Sequence, residues 1–103
     1  MNNNQVAEFI HRRRRQILIH SCLYYRLNKN IISDTTFDLW CRELVEVQND
    51  YPYISKKIIY SEAFKDFDGS TGMHLPLGDS WIRSKAIQLL NNPEVKKMRN
   101  IHN

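Results

Sequence analysis

From Gln5 to Leu27 the chain runs without a glycine or a proline, and Val6, Phe9, Ile10, Ile17, Leu18, Tyr24 and Leu27 recur at helical spacing. The spacing predicts one long amphipathic helix. Asn28-Lys29-Asn30 reads as its end, and Ile31-Ile32 as a short apolar connector. Ser33-Asp34 offers the N-cap of a second helix, about Thr35 to Asn49. Its stripe is Phe37, Trp40, Cys41, Leu44 and Val47. Tyr51-Pro52 stops it, because the residue before a proline is driven out of the helical region. So short a link predicts an antiparallel helical hairpin in which Phe37, Trp40 and Leu44 face Ile17, Leu23 or Tyr24 and their neighbours.

The rest of the chain is less regular. Residues 53–60 fit either a short helix or an extended piece, Asp66 to Gly72 a polar loop, and Met73 to Gly78 an extended segment. Asp79 or Ser80 caps a helix of about Trp81 to Leu90. Asn92-Pro93-Glu94 starts a last one, to about Ile101, with Asn as cap and Pro in the first helical position. With 103 residues, three glycines and three prolines, the expected fold is a single mainly α domain. Its hairpin is residues 5–52, and the C-terminal extension, 53–103, packs one or two helices on it around an irregular central segment.

Charge is unevenly spread. Residues 1–33 carry a net +5, residues 34–79 a net −5 and residues 80–103 a net +4. The basic total favours phosphate-bearing partners, while the acidic middle argues against a surface that tracks a duplex. A ligand with phosphates together with a cationic or hydroxyl-rich part suits both. No apolar stretch approaches the roughly 20 residues that span a bilayer. Met1 to Gln5 has no apolar leader character, and the two cysteines form no disulfide framework. The expectation is a cytoplasmic protein with reduced thiols and no membrane partner; a homo-oligomer is compatible with the sequence.

Arg12 to Arg15 is the loudest local signal. Consecutive helical residues splay by about 100° each, so the four cannot share one phosphate. One or two stems are expected to pack on the core, and Arg12 and Arg15 are candidates for phosphate. Gly69-Ser70-Thr71-Gly72 fits a plain turn or a backbone cradle for phosphate, with Ser70 and Thr71 as hydroxyl donors. His11 and His20, and Cys22 and Cys41, do not have metal-ligand spacing, and no metal or cofactor is expected. The stretch from Leu23 to Trp40 is the most informative. Tyr24 and Tyr25 end one helix, Asp34 caps the next, Asp38 lies one turn on and Phe37 sits beside them. Aromatic walls with two carboxylates can hold a pyridinium ring by stacking and charge, or ribose hydroxyls by hydrogen bonds.

That stretch resembles the small N-terminal domain of NAD-dependent DNA ligases. The family pattern there is Tyr-His, a loop, Ile-x-Asp, x-x-Tyr-Asp, and a helix running to His-Pro. Here stand Tyr24-Tyr25, Ile32-Ser33-Asp34, Phe37-Asp38 and Tyr51-Pro52. The resemblance implies that Tyr24 stacks on nicotinamide and that Asp34 and Asp38 contact the nicotinamide nucleotide. Tyr25 replaces the family's His and Phe37 its Tyr, so one imidazole and one hydroxyl are missing. The family's nucleotidyltransferase domain, with its K-x-D-G lysine, has no counterpart: Lys65-Asp66-Phe67-Asp68-Gly69 is one residue too long. The chain looks like a free-standing nucleotide-capturing domain, and its Asn- and Lys-rich single-domain character resembles phage and prophage products.

The expected function is therefore non-catalytic binding of an NAD-derived or ADP-ribose-type nucleotide, used as a phage sponge for a cyclic ADP-ribose-type immune signal. Tyr24, Tyr25, Asp34, Phe37 and Asp38 would hold ring and ribose; Arg12, Arg15, Ser70 and Thr71 would meet phosphate. The alternative is an accessory factor that binds nucleic acid or protein and keeps the hairpin as scaffold. An enzyme is the third and least supported reading, since Asp34 or Asp38 would lack a partner acid, metal or nucleophile.

Overall fold

A computed structural model describes residues 1–70 and 72–102, with side chains through residue 97. The described residues are mainly helical and contain no strand. The helices are α1 (Asn3–Leu27), α2 (Asp34–Asp50), α3 (Pro52–Lys57), α4 (Ser61–Phe64), α5 (Ser80–Leu90) and α6 (Pro93–His102). With 25 residues α1 is roughly 37 Å long, and it sets the 43 Å long axis of the molecule. α2 folds back on it as the expected hairpin; α5 packs on another side of α1, α3 bridges α1 and α2, and α6 packs on α5.

The start of α1 shows how local chemistry fixes an element. Asn2 and Gln5 form a reciprocal capping box, each side chain accepting the other's backbone N–H at 2.8 Å. The helix therefore begins two residues earlier than periodicity alone predicts. Its other end closes on Asn28, which takes the left-handed region at φ 54°. The Lys29 N–H then donates to the Leu23 carbonyl at 2.8 Å.

One cap is corrected. Asp34 is the first residue of α2; Ser33 is the N-cap, its Oγ accepting the Thr36 N–H at 3.1 Å. Both residue types cap well, and the backbone places the serine at the position whose side chain reaches the free N–H. Asp79 and Asn92 cap α5 and α6 as expected.

The central segment also differs in detail. Pro52 ends α2 and at once starts α3, because a proline at the first helical position sacrifices no hydrogen bond. Residues 73–78 are not extended. They form successive tight turns, with Leu75 N–H to Gly72 O, Leu77 N–H to Leu75 O and Asp79 N–H to Pro76 O. These turns fold Leu75 and Leu77 into the core.

The core runs along α1 through Val6, Ile10, Ile17, Leu18, Cys22 and Leu23 and is completed by Cys41, Leu44, Phe64, Leu75, Leu77, Ile82 and Ala86. The cysteines are free and buried, and burial pushes the Cys41 thiol up to about 11, so it stays protonated. Two glycines near the central loop resist substitution, Gly69 through its backbone conformation and Gly72 through its surroundings. Gly69 has φ 85° and lies against the Cys41 backbone and Val45; a Cβ on Gly72 would collide with the Ser21 hydroxyl.

Candidate functional site

The hairpin turn encloses a pocket of about 260 Å³ between the last turns of α1 and the first turns of α2. Tyr24, Tyr25, Asp34, Phe37, Asp38 and Ser70 line it, joined by His20 and by Lys29, Asn30, Ile31 and Ile32 of the turn. Tyr24 and Tyr25 meet edge to face, with ring centroids 4.8 Å apart, at the end of α1. Both are exposed, so they present ring surface to solvent in place of core contacts. Asp34 and Asp38 are one turn apart on α2, with Phe37 between them, which brings their side chains to the same end of the helix.

The pocket's electrostatics follow from this lining. Two carboxylates stand against the single ammonium of Lys29, and the imidazole of His20 is neutral. Burial draws the His20 pKa down to about 4. Its ring packs edge-on against Trp40, with centroids 5.4 Å apart. A pocket of this kind attracts a cationic or hydroxyl-bearing ring system and leaves phosphates to its rim, near Lys29.

His20 also makes a testable contribution to stability. Its folded pKa lies below the ordinary value of 6.5, so the unfolded chain binds the extra proton first. Stability from the neutral ring is complete above about pH 6.5 and is lost as pH falls toward 4. Thermal denaturation between pH 7 and 4 is expected to show a smaller fall in Tm for His20→Phe than for the native protein. Equal falls would contradict this role.

The remaining sequence-predicted residues fall elsewhere. Arg12 is exposed and pairs with Glu8 at 2.9 Å on the same helix. Arg15 lies over the Trp81 ring at 4.4 Å, on the α5 side of α1. Neither lines the pocket. Arg15 is nine residues from Tyr24, roughly 13 Å along the helix. The two middle arginines are structural. Arg13 reaches Glu43 at 3.1 Å and stacks on Phe9 and Trp40, and Arg14 is buried at 1% exposure.

Ser70 is at the pocket, but its N–H and its hydroxyl both donate to Asp68 Oδ1, at 2.9 and 2.6 Å. That pairing holds the Asp68 carboxyl below its usual pKa. Ser70 can offer an acceptor oxygen there; its backbone N–H is not free to cradle phosphate. Thr71 lies outside the described residues.

His20, Lys29 and Asn30 were not anticipated as lining residues. For His20 a signal existed: it is four residues before Tyr24 and shares its helix face. No known protein family matches the chain, and neither curated proteins nor solved structures give a match.

Proposed function

We propose that the hairpin-turn pocket captures an NAD-derived or ADP-ribose-type nucleotide and holds it without converting it. The observation that carries this reading is the convergence of three aromatic side chains and two carboxylates on one small pocket. Tyr24 or Phe37 stacks on the base or nicotinamide ring, and Asp34 and Asp38 take ribose hydroxyls or the ring's positive charge. At about 260 Å³ the pocket is below the roughly 300–1,000 Å³ of drug-sized sites. It suits one nucleoside end of a larger nucleotide, with the phosphates extending past Lys29 into solvent. The ligase-like pattern of residues 24–52 supports the same assignment. The biological use proposed is sequestration, a phage-type sponge for a cyclic ADP-ribose-type signal.

Thermal shift with NAD, nicotinamide mononucleotide, ADP-ribose and cyclic ADP-ribose isomers tests the reading. A ligand at 100 times its Kd should add about 2.7 kcal/mol. Tyr24→Ala and Asp38→Asn should each remove most of that gain while leaving the helical signal intact. Asp34→Asn is usable as well, since Ser33 is the cap and only a helix-dipole contribution of about 0.3–1 kcal/mol is at stake. Denaturing the complex and recovering the signal chemically intact distinguishes capture from turnover; a new chromatographic product would make the protein an enzyme. Binding that survives both Tyr24→Ala and Asp38→Asn would move the function off this pocket.

One observation favours the alternative, an accessory factor that binds nucleic acid or protein. Arg26 on α1 and Arg83 on α5 both act by charge on the Cys22 thiol, and no carboxylate pairs with either among the described residues. Affinity for DNA that falls steeply with salt would support it.

A further inference from the structure

Of the four arginines in the run, three have their guanidinium groups engaged by the protein. Arg12 pairs with Glu8, Arg13 with Glu43, and Arg14 uses every donor it has. Arg15 differs. The residue is half-buried, and its guanidinium is held over the indole of Trp81, 4.4 Å from the ring centroid, yet it donates to no acceptor among the described residues. Stacking fixes the plane of the group and leaves its N–H edges pointing sideways. Arg15 lines a second pocket, of about 360 Å³, together with His11, Ile59, Tyr60, Asp79 and Trp81.

The pocket is rich in donors. His11 is one turn before Arg15 on the same face of α1 and has no hydrogen-bond partner among the described residues. Tyr60 is placed by an unusual backbone, with φ 68°, a conformation that costs energy for a residue with a Cβ. Burial first, then the charge of Asp79, push its phenol above the ordinary pKa against the pull of Arg15. The hydroxyl therefore keeps its proton and can donate. The only carboxylate in the lining, Asp79, spends Oδ1 on the Trp81 and Ile82 N–H groups. Its other oxygen makes no hydrogen bond among the described residues. Lys85 stands over the same indole at 5.7 Å and adds positive charge beside it.

We propose that this pocket is a second ligand site, taking the phosphate of a small phosphorylated sugar or nucleoside, with Arg15 as its anchor. A planar carboxylate would be satisfied by the guanidinium alone. Donors from three side chains on two different segments instead suit a tetrahedral oxyanion with several acceptor oxygens. The remaining Asp79 oxygen accepts a hydroxyl of the attached sugar, and the exposed face of Ile59 and the Trp81 ring form the apolar floor. The site lies on the α5 side of α1 and shares no lining residue with the hairpin-turn pocket. It stands or falls independently of the function proposed for that pocket.

The test follows the indole N–H resonances of Trp40 and Trp81 in ¹⁵N-labelled protein during titration with ribose 5-phosphate, inorganic phosphate and ribose. Ribose 5-phosphate is expected to shift Trp81 saturably and leave Trp40 in place. Inorganic phosphate should act on the same resonance more weakly, and ribose alone should not act. Arg15→Gln should weaken ribose 5-phosphate by about tenfold or more, the loss of a charged hydrogen-bond pair. Arg15→Lys, which keeps charge and fold but loses the fork, should fall between, and Tyr24→Ala should leave the Trp81 shift unchanged. Absence of a saturable Trp81 shift, or unchanged affinity in folded Arg15→Gln and Arg15→Lys, overturns the site. Equal affinity for inorganic phosphate and ribose 5-phosphate overturns the role given to Asp79.

Discussion

Replacing Arg14 with leucine is expected to destabilise the fold by about 3–5 kcal/mol, a large share of the roughly 5–15 kcal/mol that holds a domain of this size together. The reason is the completeness of its hydrogen bonding. Nε donates to Gln48 Oε1 at 2.9 Å, one terminal nitrogen to the carbonyls of Ile58 and Ile59, and the other to the carbonyl and hydroxyl of Ser55. Five donors thus meet five acceptors across three segments, with the side chain 1% exposed. Three of those acceptors are backbone carbonyls at and beyond the end of α3, a helix of only six residues that cannot hold itself.

Burial draws the Arg14 pKa down to about 10, which leaves it charged at neutral pH. Buried ion pairs can sometimes be exchanged for apolar side chains at no cost, because both partners are replaced together. That exchange is not open here, since carbonyls cannot be mutated away and leucine leaves them without donors. Arg14→Lys keeps the charge but has three donors on a point-like ammonium and should still lose about 1–3 kcal/mol. Urea denaturation measures both. Hydrogen exchange should show residues 52–64 opening first. Two variants within about 0.5 kcal/mol of the native protein would show that the clamp is dispensable.

That clamp was not legible in the sequence, and the reason is physical. Four identical residues in a row carry no periodicity, so nothing separates Arg14, turned inward, from Arg12, in solvent. What was legible is what local spacing determines. The stripes of α1 and α2 and the short link between them require a hairpin, and the caps at Asp79 and Asn92 announce α5 and α6. α3 and α4, at six and four residues, are too short to show a helical period, and tertiary packing decides them.

The pocket divides in the same way. Tyr24, Tyr25, Asp34, Phe37 and Asp38 flank one turn, and their meeting is a consequence of the hairpin itself. Ser70 reaches them through a loop with a left-handed backbone at Gly69 and a close approach to Ser21 of α1 at Gly72. Arg15 is drawn to the α5 side of α1 by Trp81, a residue far away in sequence.

Leu44→Ala is expected to cost about 2–5 kcal/mol, with the same order of effect for a different reason. α2 has only two fully buried residues, Cys41 and Leu44, at i and i+3 on the face turned to α1. Leu44 is the larger, is 0% exposed, and belongs to the same cluster as Ile10, Ile17, Leu18 and Phe64. Truncation removes its apolar burial and leaves a cavity that helices fixed at both ends by caps and turns cannot close. Leu39, on the same helix but 47% exposed, provides the control: Leu39→Ala should stay within about 0.5 kcal/mol of the native protein. Leu44 lies six residues beyond Asp38, while the start of α2 is held separately by the Ser33 cap and by Phe37 and Trp40. The variant should therefore lose urea resistance yet keep, while folded, the ligand response of the hairpin-turn pocket. Similar costs for Leu44→Ala and Leu39→Ala would mean that α2 meets α1 through another face, and the pocket built on that hairpin would go with it.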